Sequence, residues 1–329
     1  MNAAAVEGVR LVAGLGLATF VSMSVGQTPA LPRIGWVISG TADNSRHTVQ
    51  ALRAGLADEG LVDGRNVTLD VRFTAGRPEL YPEIFAEITR QPVAVLAAAG
   101  FSGISAARDA SGGRTPISAY FCGSEVKQMV ENFARPGGNI TGVSCLSSEL
   151  AIKRVELLKL SVPNLRRLGL LYDPRNPGKE KELAEVRQAA AGLGLTVTTA
   201  AASSADALRE AIELLRRDGA EAVVISEDVF TYGNREKIVA LTAEHRMVDI
   251  SSFREFVEAG GVLSYGASNA ERMRMQARYA AKLVRGAKAS DLPIDQPTRF
   301  EFVINLKAAR ALGVTLPKTV LARADAVIE

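Results

Sequence analysis

Apolar residues recur along the chain in two rhythms, short continuous runs and longer stretches spaced by three or four. Ile34-Gly35-Trp36-Val37-Ile38 is a continuous run, which predicts a buried strand closed by Ser39-Gly40-Thr41. Val49, Leu52 and Leu56 then share one helical face from about 44 to 59, and Gly60 is a stop signal. Val67, Leu69, Val71 and Phe73 alternate with polar residues, as a strand with one wetter face would. A helix on Leu80, Ile84 and Ile88, a strand over 93–98, a helix over 102–110 and a strand over 117–121 follow. This βαβ winding requires parallel strands with crossover helices on both faces.

A helix is predicted over 125–134 before the turn Arg135-Pro136-Gly137-Gly138-Asn139, and 140–145 reads as extended. The rhythm then restarts. Helices over 148–160, 180–191, 205–217 and 234–245 alternate with strands over 168–172, 195–199, 222–226 and 247–251. The chain is therefore expected to be α/β, with two doubly wound parallel-sheet lobes. A strand over 261–266, a helix over 271–284 and a strand over 300–304 are extra to two complete windings. A chain that returns to the first lobe, adds a helix and crosses again would leave three strands between the lobes as a hinge.

The 329 residues, 47% hydrophobic and 23% charged, suffice for two ordinary cores. The 39 basic and 36 acidic residues are interspersed, without the basic stripe that a phosphate backbone requires, so no nucleic-acid partner is expected. At the start, Arg10 precedes an apolar, Gly- and Ser-rich run from Leu11 to Val25 and a Ser24-Val25-Gly26 step. That is the order of a signal peptide, expected over 1–26 with cleavage near Gly26 and export to the periplasm. No cysteine stands near that point, so no lipid anchor is expected. Cys122 and Cys145 alone make neither a disulfide framework nor a four-cysteine zinc site, and are expected as half-buried thiols rather than a bridge.

Little in the chain supports catalysis. His47 and His245 are far apart, Gly14-Leu15-Gly16 and Gly192-Leu193-Gly194 lack the strand-to-helix setting of a dinucleotide loop, and no Walker-type lysine loop occurs. No metal, no cofactor and no enzymatic activity are expected. Polar and aromatic loops instead follow the predicted strands, where open α/β sheets bind ligands. The first lobe offers Ser39, Gly40 and Thr41, then Gly100, Phe101 and Ser102, then Tyr120; the second offers Arg175 and Asn176, Asp228 and Phe230, and Phe253. The helix start at Gly100–Ser102 suits a carboxylate, Asp228 an ammonium and Arg175 an anion, with Phe101, Phe230 and Phe253 as apolar walls.

Several segments carry a resemblance: Arg135-Pro-Gly-Gly-Asn-Ile-Thr-Gly-Val-Ser144, Phe253-Arg-Glu-Phe256 with Ala259-Gly-Gly261, Ser264-Tyr-Gly266, Asp291-Leu-Pro293, Gln296-Pro-Thr298, Val303-Ile-Asn-Leu-Lys307 and Leu321-Ala-Arg-Ala-Asp325. In these the chain resembles the extracellular substrate-binding proteins of an ABC-importer family whose better-known relatives are described as tryptophan- or tyrosine-type. The resemblance implies a type I periplasmic-binding-protein fold with three crossovers, a ligand between the lobes and ABC permease subunits as partners. It places the binding positions in the loops at 39–41, 99–102, 175–177 and 228–230 and around Phe253. The expected lobes are 32–145 with 266–298, and 146–265 with 299–329, in a monomer that meets the membrane only through the permease. Relatives commonly carry a Thr-Gly-Gly-Asp-like turn near Tyr120 and an Asn in the 173–177 loop. Here the corresponding residues are Phe121-Cys122-Gly123-Ser124 and Arg175. A periplasmic sensor presenting its effector to a receptor is the alternative on the same fold; the absence of an N-terminal helix-turn-helix disfavours a repressor.

Overall fold

The computed structural model describes residues 30–329 apart from 124, 125 and 146. The expected signal peptide and its cleavage point lie outside the described residues. The first winding is β1 (Arg33–Ile38), α1 (Arg46–Asp58), β2 (Thr68–Phe73), α2 (Tyr81–Thr89), β3 (Val95–Ala99), α3 (Gly100–Ser111), β4 (Ile117–Phe121), α4 (Val126–Met129) and β5 (Ile140–Ser144). The second is α5 (Ser147–Ser161), β6 (Arg167–Tyr172), α6 (Lys179–Gly192), β7 (Thr196–Ala201), α7 (Ala207–Arg217), β8 (Ala222–Ile225), α8 (Val229–Gly233), α9 (Arg235–Glu244) and β9 (Val248–Ser251). The tail adds α10 (Arg254–Glu258), β10 (Leu263–Ala267), α11 (Asn269–Val284), β11 (Phe300–Asn305), α12 (Leu306–Ala311), α13 (Lys318–Leu321) and β12 (Ala326–Ile328).

Two sheets result, in the orders β2-β1-β3-β4-β5 and β12-β11-β10-β9-β8-β6-β7. Successive strand residues point to opposite faces, and here both faces are dry. In the first sheet Ile34, Trp36, Val95 and Ala97 pack with Leu52 and Leu56 of α1 and with Met273 and Ala277 of α11. Val37, Leu96 and Ala98 meet Tyr81, Phe85, Ile88 and Ile104 of α2 and α3 on the other side. In the second sheet Leu168, Leu170 and Val224 face α5 and α6, while Leu171, Val223 and Ile225 face α7 and α9. Each fully buried aliphatic or aromatic side chain contributes roughly 1.5–3 kcal/mol, and the continuous apolar runs of the sequence are explained by this two-sided burial.

The chain passes between the sheets at 144–147, at 267–269 and at 295–300, giving the three crossovers of the type I periplasmic-binding-protein fold. After the second passage α11 packs against α1 of the first lobe, and residue 295 then bridges β5 beside Val143. Because β10 and β11 are separated by this excursion rather than by a crossover helix on their own sheet, nothing imposes a parallel return. They pair antiparallel, with Ala267 opposite Phe300, in an otherwise parallel sheet.

Two predicted elements differ. The helix expected over 125–134 is reduced to α4, because the Asn132 side chain accepts from the Arg135 N–H and the Glu131 N–H turns to the Pro136 carbonyl, closing a loop instead. The loop expected at 228–230 is itself helical: Asp228 caps α8 by accepting from the Phe230 N–H. Cys122 and Cys145 are fully buried rather than half-buried, both in the core of the first sheet.

Candidate functional site

The carboxyl ends of the two sheets face one another, and direct contacts close the space between them. Tyr120, at the end of β4, donates its hydroxyl to Glu227 Oε1 beyond β8 at 3.0 Å. Burial and then the Glu227 charge push the Tyr120 phenol well above its ordinary value, so it stays the donor. Behind Glu227 lies Arg154 of α5, fully buried, with Nη1 donating to Ser252 Oγ at 3.0 Å and Nη2 3.6 Å from Glu227 Oε2.

On the other side of Tyr120 stands Arg272 of α11, only 6% exposed. Its guanidinium carbon lies 4.5 Å from the Tyr120 ring centre, 5.1 Å from Phe253 and 5.8 Å from Tyr232. Phe253 and Tyr232 meet edge to face at 5.1 Å. Rings of two lobes thus enclose a cation carried by the first, a geometry in which the ring faces attract the charge. Asn269, one turn before Arg272, orients it by accepting from Nε and Nη2. The Asn269 amide donates onward to Thr48 Oγ1 at 2.9 Å, Tyr232 Oη at 3.1 Å and Glu255 Oε1 at 2.7 Å. Burial, then Glu255, push the Tyr232 phenol up to about 12, so it too remains protonated.

Further bridges flank this centre. Arg235 of α9 donates to the Asn44 carbonyl at 2.6 Å and to the Tyr232 carbonyl at 3.1 Å, its guanidinium 4.8 Å from the Tyr232 ring centre. Asn234 donates to the Gly76 carbonyl at 2.9 Å, and Lys179 donates to the carbonyls of Cys122 and Glu227 and to Glu182 Oε2.

The residues expected from the sequence fall around this centre in different ways. Tyr120 and Phe253 are part of it. Ser39 and Gly40 are buried beside the loop at Gly76, whereas Thr41 is exposed and tied to Asn44 by reciprocal hydrogen bonds. Gly100 has φ +65°, and a Cβ there would stand 2.8 Å from Val229 of α8, so only glycine admits this approach of the lobes. Phe101 and Ser102 are half-buried at the start of α3. Arg175 is engaged with Asp173, at 2.7 Å from Nη2 to Oδ2, and lies 5.4 Å from the Phe230 ring centre. Asn176 donates to Asp228 Oδ2 at 2.7 Å. Burial pushes the Asp228 carboxyl up, against the Lys179 charge. Phe230 is fully enclosed in the core shared by α7, β8 and α9.

Arg154, Tyr232, Asn269 and Arg272 were not among the residues expected from the sequence. A signal for three of them exists in the helical period. Asn269, Arg272 and Gln276 fall on the stripe of α11 that also buries Met273, Ala277 and Ala280, and Arg154 falls between Ala151, Val155 and Leu158 of α5. A polar side chain on an apolar stripe demands a buried partner.

A two-lobed clamp with its polar centre between the lobes is the architecture of periplasmic binding proteins. The sequence model of the family described as ABC transporter substrate binding protein matches residues 27–328, and the chain belongs to that family. No curated protein matches it in sequence. Among solved structures it is similar to a conserved domain protein from Vibrio cholerae (TM-score 0.82, 23% identity, covering 90% of this chain and 99% of that one). It is also similar to an ABC domain in complex with L-Trp from Streptococcus pneumonia (0.81, 23%, 91% and 100%). A more distant likeness is to a 5-methylthioribose transporter solute binding protein from Thermotoga lettingae in complex with 5-methylthioribose (0.57, 14%, 89% and 98%). Among the described residues no helix is long and apolar enough to cross a membrane, and no cluster of three or more metal-ligating side chains occurs.

Proposed function

We propose that this chain is the exported solute-binding component of an ABC importer, which captures a small ligand between its lobes and presents it to the permease subunits in the periplasm. Membership of the substrate-binding family supports the reading, as do neighbours of the same fold described in complex with L-Trp and 5-methylthioribose. The observation that carries it is the enclosure of Arg272, on the first lobe, by Tyr232 and Phe253 of the second. Two lobes with separate cores gain such a centre only when closed, and a ligand bound there biases closure by its better fit to the closed form. No catalytic step and no cofactor enter this function. The lobes act as 32–145 with 268–298, and 146–267 with 299–329, because β10 runs to Ala267 in the second sheet.

Small-angle scattering combined with a thermal-shift screen of small acids, amino acids, amides and sugars tests it. The cognate compound raises the melting temperature and lowers the radius of gyration. An unchanged radius at saturation overturns closure around a ligand, and chemical conversion of the compound overturns a purely binding role.

A further inference from the structure

Two of the guanidinium groups buried between the lobes, those of Arg235 and Arg272, have no carboxylate partner among the described residues, whereas Lys179, Arg175 and Arg154 are paired with Glu182, Asp173 and Glu227. Among the described residues no carboxylate oxygen lies within 4.0 Å of the Arg272 or the Arg235 guanidinium, although both side chains are buried and flank the same Tyr232 ring. Arg235 is satisfied by two backbone carbonyls, while Arg272 has one neutral acceptor, Asn269. Arg154, wholly buried, is already paired with Glu227, 3.6 Å from Nη2, and is not part of this deficit. A buried guanidinium left without an anion is costly, because its hydration is not replaced.

The acidic groups of the same region are spoken for. Glu227 accepts from Tyr120 and faces Arg154, and Asp228 accepts from Asn176 and from the Phe230 N–H. Glu255 is half-buried and accepts from Asn269 through Oε1, which leaves only its Oε2 open. An incoming ammonium therefore finds a single open carboxylate oxygen near two cations, whereas an incoming anion finds the Arg272 guanidinium with one neutral acceptor.

We infer that the ligand is a net anion, a flat carboxylic acid whose charge is not offset by an ammonium, with its carboxylate taken by Arg272 and its apolar body laid against Tyr120, Tyr232 and Phe253. The inference rests on the solute-binding reading above and names the ligand class of that same site. Arg272 supplies planar, paired donors that match a carboxylate, and Asn269 holds the guanidinium in place for it.

Calorimetric titration with matched sets tests this class: phenylpropanoate, phenylpropanamide and phenylalanine, and the corresponding hydroxyphenyl and indole compounds. The acid is expected to bind at least about tenfold more tightly than both its amide and its amino acid, as a charge-assisted bond in a dry site requires. Arg272→Gln removes the preference for acid over amide, and Arg272→Lys keeps part of it. Should Arg272→Gln not fold, the acid-to-amide ratio of the wild-type protein decides alone. An amide or amino acid that binds as tightly as its acid overturns the inference and leaves solute binding standing; so does a panel in which no acid binds while a neutral compound does. An acid that binds without compaction of the protein keeps the ligand class and removes the closure on which the transport reading depends.

Discussion

Gly76 and Gly233 meet across the cleft so closely that a Cβ on Gly233 would stand 2.6 Å from the Gly76 Cα and 2.7 Å from the Ser39 carbonyl oxygen. The two lobes touch there backbone to backbone, and Asn234, the next residue, adds its hydrogen bond to the Gly76 carbonyl. Gly233→Ala is expected to hold the lobes apart while leaving each core intact. Ligand affinity falls by about 1–3 kcal/mol, in the range of overpacking costs, with the apo melting temperature nearly unchanged. A variant that compacts with ligand as the wild type does would show that this contact does not limit closure.

The Tyr120–Glu227 hydrogen bond joins the lobes at the centre of the site. Tyr120→Phe removes the donor and leaves a buried carboxylate oxygen short of a partner in the closed form only. A bond to a charged group contributes about 1.5–3 kcal/mol, so affinity should drop about tenfold or more. Faster ligand dissociation in stopped-flow fluorescence is the expected signature; an unchanged off-rate would place the bond outside the closing step.

Phe230 and Phe253 separate stability from binding. Phe230 is wholly enclosed in the core of the second lobe, so Phe230→Ala should cost about 3–5 kcal/mol in denaturant unfolding. Phe253 meets Tyr232 edge to face and covers Arg272, so Phe253→Ala should cost about 1–3 kcal/mol of ligand affinity beyond its effect on stability. Equal losses of stability with affinity intact in both variants would assign both rings to the core.

Asp249 is expected to make the stability of the second lobe depend on pH. Its carboxyl is fully buried beside the Val262 N–H and Thr242 Oγ1, and burial pushes it up to about 6. In the unfolded chain the value is about 3.9. Between these values the folded state holds the proton and the unfolded state does not, so stability declines as pH rises from about 4 to about 6 and is flat above. Asp249→Asn keeps an acceptor for Val262 and removes the charge. It should raise stability by about 1–3 kcal/mol at pH 7.5 and erase the slope; denaturant unfolding at both ends of that range reads it.

Export is tested at the N-terminus. Mass spectrometry of a periplasmic fraction should find a mature chain beginning near Gln27. An intact Met1 or a lipidated N-terminus there would remove the freely soluble, exported reading.

Residues such as Ile34, Trp36, Val95 and Ala97 reveal their strands in the sequence because burial on both faces of a parallel sheet requires apolar residues at every position. For the same reason the two windings and the extra tail elements could be located from periodicity, whereas the tail's return crossings were implied by the family resemblance alone. Local turn chemistry was harder to read. The Asn132–Arg135 turn that shortens α4 and the Asp228 cap that makes 228–230 helical each depend on one side chain choosing a backbone N–H.

The sequence by itself determined the two windings, the extra tail elements, the family, and the strand-end loops where a ligand site belongs, since each follows from local period, motif or turn residues. Only the tertiary structure decided which side chains form the centre. Tyr120 reaches Glu227 across 107 positions and Asn269 reaches Thr48 across 221, while Arg272 meets rings contributed by both lobes. Helical period tells that Arg272 and Arg154 lie on buried stripes. Which residues of the other lobe stand opposite them is set by the angle at which two separately folded sheets come to face each other, and no local pattern encodes that angle.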